Sequence, residues 1–164
     1  MQKGFTLIEL MVTLAVLVVT LSIGVPNFSI WIKNNRINES TRTLTSALQL
    51  ARSEAVSRQS VITINSGGNW TNGLTIYTDT TPGGNTPITA GDTLIKDLDF
   101  SMNGITVNSD DVNDFVSFTS SGLLNEGGAQ RTFRFCQSSG ETEGTSVTIN
   151  SVGRAAINTI DNCP

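Results

Sequence analysis

The chain has 164 residues, a formal net charge of −4 and no histidine. That length allows one domain plus an accessory segment. Without imidazole the commonest acid–base group and metal ligand is missing, and no G-x-S-x-G or phosphate-binding glycine loop appears, so no enzymatic activity and no cofactor are expected.

The first element is the stretch MQKGFTLIELMVTLAVLVVTLSIGVPNFSIWI, residues 1–32, which carries no charged side chain from Leu10 to Ile32. At about 1.5 Å rise per residue, this run is long enough to cross a ~30 Å hydrocarbon core as a helix. Glu9 sits near its start. An ionisable group at that depth costs roughly 2.5–3.5 kcal/mol on insertion scales, so it calls for a partner or a purpose. Lys3 is the only charge before Glu9, which suits a cytoplasmic N-terminus. A secretory signal peptide would have a shorter apolar core, about 7–15 residues, followed by an A-x-A-like cleavage site, and neither feature is present. A plain single-span anchor would leave Gly4, Phe5 and Glu9 without a role.

The segment G-F-T-L-I-E-L, Gly4 to Leu10, resembles the processing site of type IV pilins and type II secretion pseudopilins. A very short leader carries a basic residue, Gly4 precedes the cut, Phe5 follows it, and Glu9 lies four residues on. The resemblance implies cleavage between Gly4 and Phe5 by a prepilin peptidase and methylation of the new amino group on Phe5. It implies that 5–32 is first an inner-membrane anchor and then the core of a filament. Glu9 would there pair with the charged amino terminus of a neighbouring subunit, in a low-dielectric core where an unpaired charge is expensive.

Pro26 should bend the apolar helix rather than end it, because helical periodicity resumes beyond it. Residues 33–60 read as an amphipathic continuation. Ile37, Leu44, Leu48, Ala51 and Ala55 form one apolar stripe, and no Gly or Pro falls between Asn27 and Ser66. Arg36, Glu39, Arg42, Gln49 and Arg52 lie mostly on other faces, read as solvated or as facing neighbouring subunits. The charge is uneven. Residues 33–60 hold five basic against two acidic side chains, a net of +3, whereas 61–164 hold four against eleven, a net of −7. An acidic body of this kind does not suit a general nucleic-acid binder.

The run A-R-S-E-A-V-S-R-Q-S-V-I-T-I, Ala51 to Ile64, is similar to the helix-to-first-strand passage of the GspH/FimT/FimU group of minor pilins and pseudopilins. Val61–Ile64 is rich in β-branched residues, as a first strand should be. Further strands are expected at Leu74–Thr78, Thr93–Leu98, Ile105–Val107, Phe115–Thr119, Arg131–Cys136, Val147–Asn150 and Arg154–Ile157, with a loop over Thr80–Gly91. Gly68–Asp79 resembles the aromatic-rich second strand of that group. The resulting fold class is α+β, type IV pilin-like: leader 1–4, membrane-spanning and filament-core helix 5–32, amphipathic helix 33–60, and a β-rich domain 61–164 that is antiparallel and two-layered.

Three further groups of residues are candidates for function. Asp110, Asp111, Asn113 and Asp114 make an oxygen-rich cluster of the kind calcium favours, but D-D-V-N-D lacks the full EF-hand pattern, and a solvated loop is the plainer reading. Cys136 and Cys163 are the only cysteines. They are either bridged or two free thiols; the extracytoplasmic body implied by the anchor favours the bridge, which would contribute roughly 3–4 kcal/mol in the chain-entropy model. In type IV pilins a C-terminal disulfide is common. Finally, Ser151–Ala156 resembles the C-terminal Gly-Arg strand entry of the GspH/FimT group. In its DNA-binding branch that element reads G-R-x-R; here Ala156 stands in place of the second arginine, and Arg154 alone can neutralise few phosphates. The resemblance implies a minor pilin of the complex that initiates and caps a type IV pilus, serving pilus assembly, twitching motility and adhesion. Its partners would be other minor pilins and the major pilin, with the globular domain in the periplasm. The alternatives are a minor pseudopilin of a type II secretion system and a DNA-binding minor pilin for natural transformation.

Overall fold

The computed structural model describes residues 6–80, 88–110, 113–125, 129–137 and 143–163. The helix α1, Leu7–Arg58, runs through Pro26 without a stop. Eight strands follow: β1 Ile62–Asn65, β2 Leu74–Thr78, β3 Thr93–Leu98, β4 Ile105–Ser109, β5 Phe115–Phe118, β6 Arg131–Gln137, β7 Gly144–Ile149 and β8 Ala155–Ile160. They form two four-stranded sheets, ordered β3-β2-β1-β5 and β4-β6-β7-β8, and every pairing is antiparallel. The fold is α+β, a long N-terminal helix with an antiparallel domain of two sheets. The chain divides into two compact units, one ending at Asn35 and the other spanning Arg36–Pro164.

In the second unit, α1 turns the expected stripe inward. Ile37, Leu44, Leu48, Ala51 and Ala55 are buried, with Ala47 beside them. They share one core with Ile62, Ile64, Ile76, Val116 and Phe118 of the first sheet and Phe133, Phe135, Val147 and Ile149 of the second. The burial of β6 alternates as an inward Arg131, Phe133 and Phe135 against an outward Thr132 and Arg134, the period-2 pattern of a strand with one face on a core. Trp70 precedes β2 rather than lying in it, and its ring meets Phe133 edge-on at 4.7 Å.

Buried polar side chains on the strands are paired, as desolvation favours, while among the described residues the buried Ser60 hydroxyl has no hydrogen-bond partner. The Thr63 hydroxyl donates to an Asp79 carboxylate oxygen at 3.1 Å and stands 2.7 Å from the Ser117 hydroxyl. Arg131 is only 3% exposed. Its Nη1 donates to the Phe115 carbonyl at 2.9 Å, and its guanidinium lies 5.9 Å from the Phe115 ring centre. This cation thus joins the start of β6 to the start of β5, one strand from each sheet. Arg36 and Arg42 are exposed, as a solvated face requires, but Arg52 departs from that expectation: its Nε donates to the Gly122 carbonyl at 3.0 Å.

Candidate functional site

The N-terminal unit is defined by what its helix leaves uncovered. Across Leu7–Val25 the mean hydropathy is 2.4 and none of the segment is buried. The polar side chains in that stretch spend their hydrogen bonds on the helix itself. Thr13 Oγ1 donates to the Leu10 carbonyl at 2.8 Å, Thr20 Oγ1 to Val16 at 2.6 Å, and Ser22 Oγ to Val19 at 2.7 Å. Hydroxyls satisfied in this way present little unmet polarity to an apolar surrounding. The helix is therefore long and apolar enough to cross a membrane.

Glu9 is the exception, an exposed acid in the first helical turn. Its backbone N–H donates to Thr6 Oγ1 at 3.4 Å. Thr6 and Glu9 have the T-x-x-E spacing of a capping box, with Thr6 as the N-cap and Glu9 at the third helical position. A carboxylate there also faces the positive end of the helix dipole. This capping spacing was present in the sequence and is a second reason, besides charge pairing, for an acid at this position. Gly4 and Phe5 lie outside the described residues.

At the other end of the chain, Cys136 and Cys163 are bridged, with Cα atoms 5.8 Å apart. The bond ties the tail beyond β8 to β6. Gly144, which opens β7, makes room for it. A Cβ at Gly144 would stand 2.6 Å from Cys163 Sγ and 2.6 Å from the Phe135 carbonyl oxygen. Neither contact could be read from the spacing of residues along the chain.

The Gly153-Arg154 element closes the β7–β8 hairpin. Gly153 N donates to Asn150 O at 2.9 Å, Asn150 N to Arg154 O at 3.1 Å, and Arg154 N to Asn150 Oδ1 at 2.8 Å. This is a three-residue loop with a glycine in the left-handed region, φ 75°, at its end. Gly153 also packs where a Cβ would be 2.3 Å from the Gly122 carbonyl oxygen. The glycine of this element is thus dictated by the turn and by its neighbour, while Arg154 is exposed.

Two described members of the oxygen-rich cluster, Asp110 and Asp114, hydrogen-bond to residues outside it. The Asp110 carboxylate, just beyond the end of β4, pairs with Arg134 Nη1 of β6. The Asp114 carbonyl accepts from Ser66 N at 2.8 Å and Ser66 Oγ at 3.0 Å. Asn113 lies beside Asp114 at the entry to β5, and Asp111 falls outside the described residues. Among the described residues, no group of three or more Cys, Asp or Glu side chains is placed to hold a metal. A different aspartate is the more strongly engaged. Asp92 accepts four hydrogen bonds, from N and Oγ1 of Thr80 and from N and Oγ1 of Thr89, all between 2.8 and 2.9 Å. The backbone donors of Thr80 and Thr89 hold its carboxyl far below the usual carboxylate range.

The family model described as type II transport protein GspH matches residues 40–153, and the prokaryotic N-terminal methylation motif matches residues 1–25. No curated protein matches the chain significantly. The type IV minor pilin FimU of Pseudomonas aeruginosa PAO1 is similar in two crystal forms. One is 25% identical with a TM-score of 0.66, covering 82% of this chain and 99% of that one. The other is 26% identical with a TM-score of 0.62, covering 77% and 99%.

Proposed function

Because this chain belongs to the GspH family and carries the N-terminal methylation motif, we propose that it is a non-catalytic minor pilin of the tip and initiation complex of a type IV pilus. In this reading prepilin peptidase cuts between Gly4 and Phe5 and Phe5 is methylated. The helix holds the subunit in the bacterial inner membrane with its globular domain in the periplasm. It then enters the filament, where Glu9 pairs with the amino terminus of an adjoining subunit. The partners are other minor pilins and the major pilin, and DNA is not among them. The similarity to FimU, which spans 99% of that chain, carries the reading. The C-terminal disulfide supports it.

The second reading is a minor pseudopilin of a type II secretion system, favoured by the description of the matching family model. A clean deletion separates the two. Loss of surface pili and twitching with secretion unchanged is the expected result, restored by the intact gene. Normal piliation with lost secretion would replace the pilus reading by the pseudopilus one.

A further inference from the structure

The outer edge of β8 is open, and four observations say what fits it. First, among the described residues β8 lies at the end of its sheet and pairs with β7 alone, and Ala156, Ile157, Asn158 and Thr159 are all exposed. A strand covering a core would bury alternate residues, so this one is exposed on both faces. Second, its pairing with β7 is regular over all six residues, with no shift of register. Third, the parity of the ladder is fixed by the Asn150 N to Arg154 O bond. That bond makes 150 and 154 a hydrogen-bonded pair, and the alternation of an antiparallel ladder then points Ala156, Asn158 and Ile160 toward β7. The N–H and C=O groups of Ala155, Ile157 and Thr159 therefore face outward, a row of three donors and three acceptors at strand spacing. Fourth, A-A-I-N-T-I contains no charge and no proline, the usual guards of a free edge. The β3 edge has such guards: Lys96 and Asp97 lie on it, and its register shifts at Ile76/Tyr77.

The surroundings hold this edge in place. The bridge from Cys163 to Cys136 fastens the chain just beyond β8, and the Gly153 turn fastens the chain just before it. Exposed Arg154 stands at the start of the strand and Asp161 just after its end.

We propose that β8 is a docking edge that receives an extended strand from a partner protein, extending the second sheet to five strands. The partner strand is uncharged in its centre and carries an acid where it passes Arg154. Backbone pairing at Ala155, Ile157 and Thr159 supplies the affinity, and the Arg154 and Asp161 ends set direction. This contact is separate from assembly through the N-terminal helix and does not depend on whether the filament is a pilus or a pseudopilus.

The test uses the full chain in its own cell envelope, with a benzophenone side chain at Thr159 as the probe and, for comparison, at Leu94 on the β3 edge. Ile157→Pro removes one outward donor and leaves the β7 ladder whole, since that N–H faces away from β7. The expected result is an adduct at 159 whose linked peptide maps to an uncharged, extended segment of a different protein. Its yield should fall about tenfold or more in Ile157→Pro, with the disulfide formed and the protein level unchanged. If the proline variant does not accumulate, Ile157→Lys, an edge guard on the same strand, must give the same loss. Undiminished adduct in the variant, a yield at 159 no higher than at 94, or adducts only to a second copy or to nucleic acid would each overturn the proposal.

Discussion

Gly144 is glycine because two groups already occupy the space a side chain would need. One of them, the Phe135 carbonyl oxygen, belongs to a sheet backbone and cannot move far. Gly144→Ala should therefore destabilise the domain by about 1–3 kcal/mol, and it should raise the fraction of protein whose Cys136 and Cys163 react with an alkylating agent without reduction. Thermal unfolding and thiol labelling measure the two effects. At the other terminus, Gly4→Val should block processing, because the peptidase needs close approach to that backbone; mass spectrometry should find the leader retained. Glu9→Ala should leave membrane insertion intact and lower recovery in sheared filaments, since the amino terminus of a docking subunit loses its opposite charge. Equal recovery of variant and wild type in both fractions would rule this out. Residues whose reason is local were legible in the sequence: the N-terminal methylation motif and the pair of cysteines that form the bridge. Gly144 and Arg131 were not. Their reasons lie on other strands, Phe135 on the neighbouring β6 for Gly144 and Phe115 in the opposite sheet for Arg131, and the local sequence pattern does not reveal those neighbours.

Among elements, the strands were legible by their β-branched runs and their ends were not. β7 begins at Gly144 rather than at the expected Val147, because Gly144, Thr145 and Ser146 each find a partner on β8, from Ile160 to Asn158. β8 continues to Ile160 for the same reason. Pairing across a sheet decides where a strand stops, and the sequence records only propensity. The loop after β2 follows a local logic instead. Asp92 clasps Thr80 and Thr89, the two ends of a connection rich in proline and glycine. Its carboxyl is held low in the folded state, so its contribution to stability is present above the unfolded value of about 3.9 and is lost as pH falls toward the folded value. Asp92→Asn should therefore lower the thermal midpoint at pH 6, and the gap from wild type should shrink steadily as the pH is taken from 4 to 2. A gap that stayed constant over that range would mean that the charged form is not what holds the loop.

On the scale of the molecule, residues 61–164 carry a net charge of −7, and the exposed Arg154 in that span can neutralise few phosphates. The α+β class and the division into an apolar helix and a strand-rich body were legible because they rest on long-period signals: an uncharged run, a helical stripe, and regularly spaced turn residues. The bridge between Cys136 and Cys163 has a mechanical meaning as well. A pull on the tail passes through a covalent bond into β6, which has neighbours on both sides in its sheet, so the hairpin of β7 and β8 is bypassed by the load. The stretch between the two cysteines, which are 27 positions apart in the chain, becomes length that tension cannot draw out. Stretching single molecules should therefore release about 90 Å more chain after reduction than before it, at roughly 3.3–3.6 Å per residue. A subunit anchored by one end and gripped near the other would keep its docking edge folded while the rest of the body was under strain.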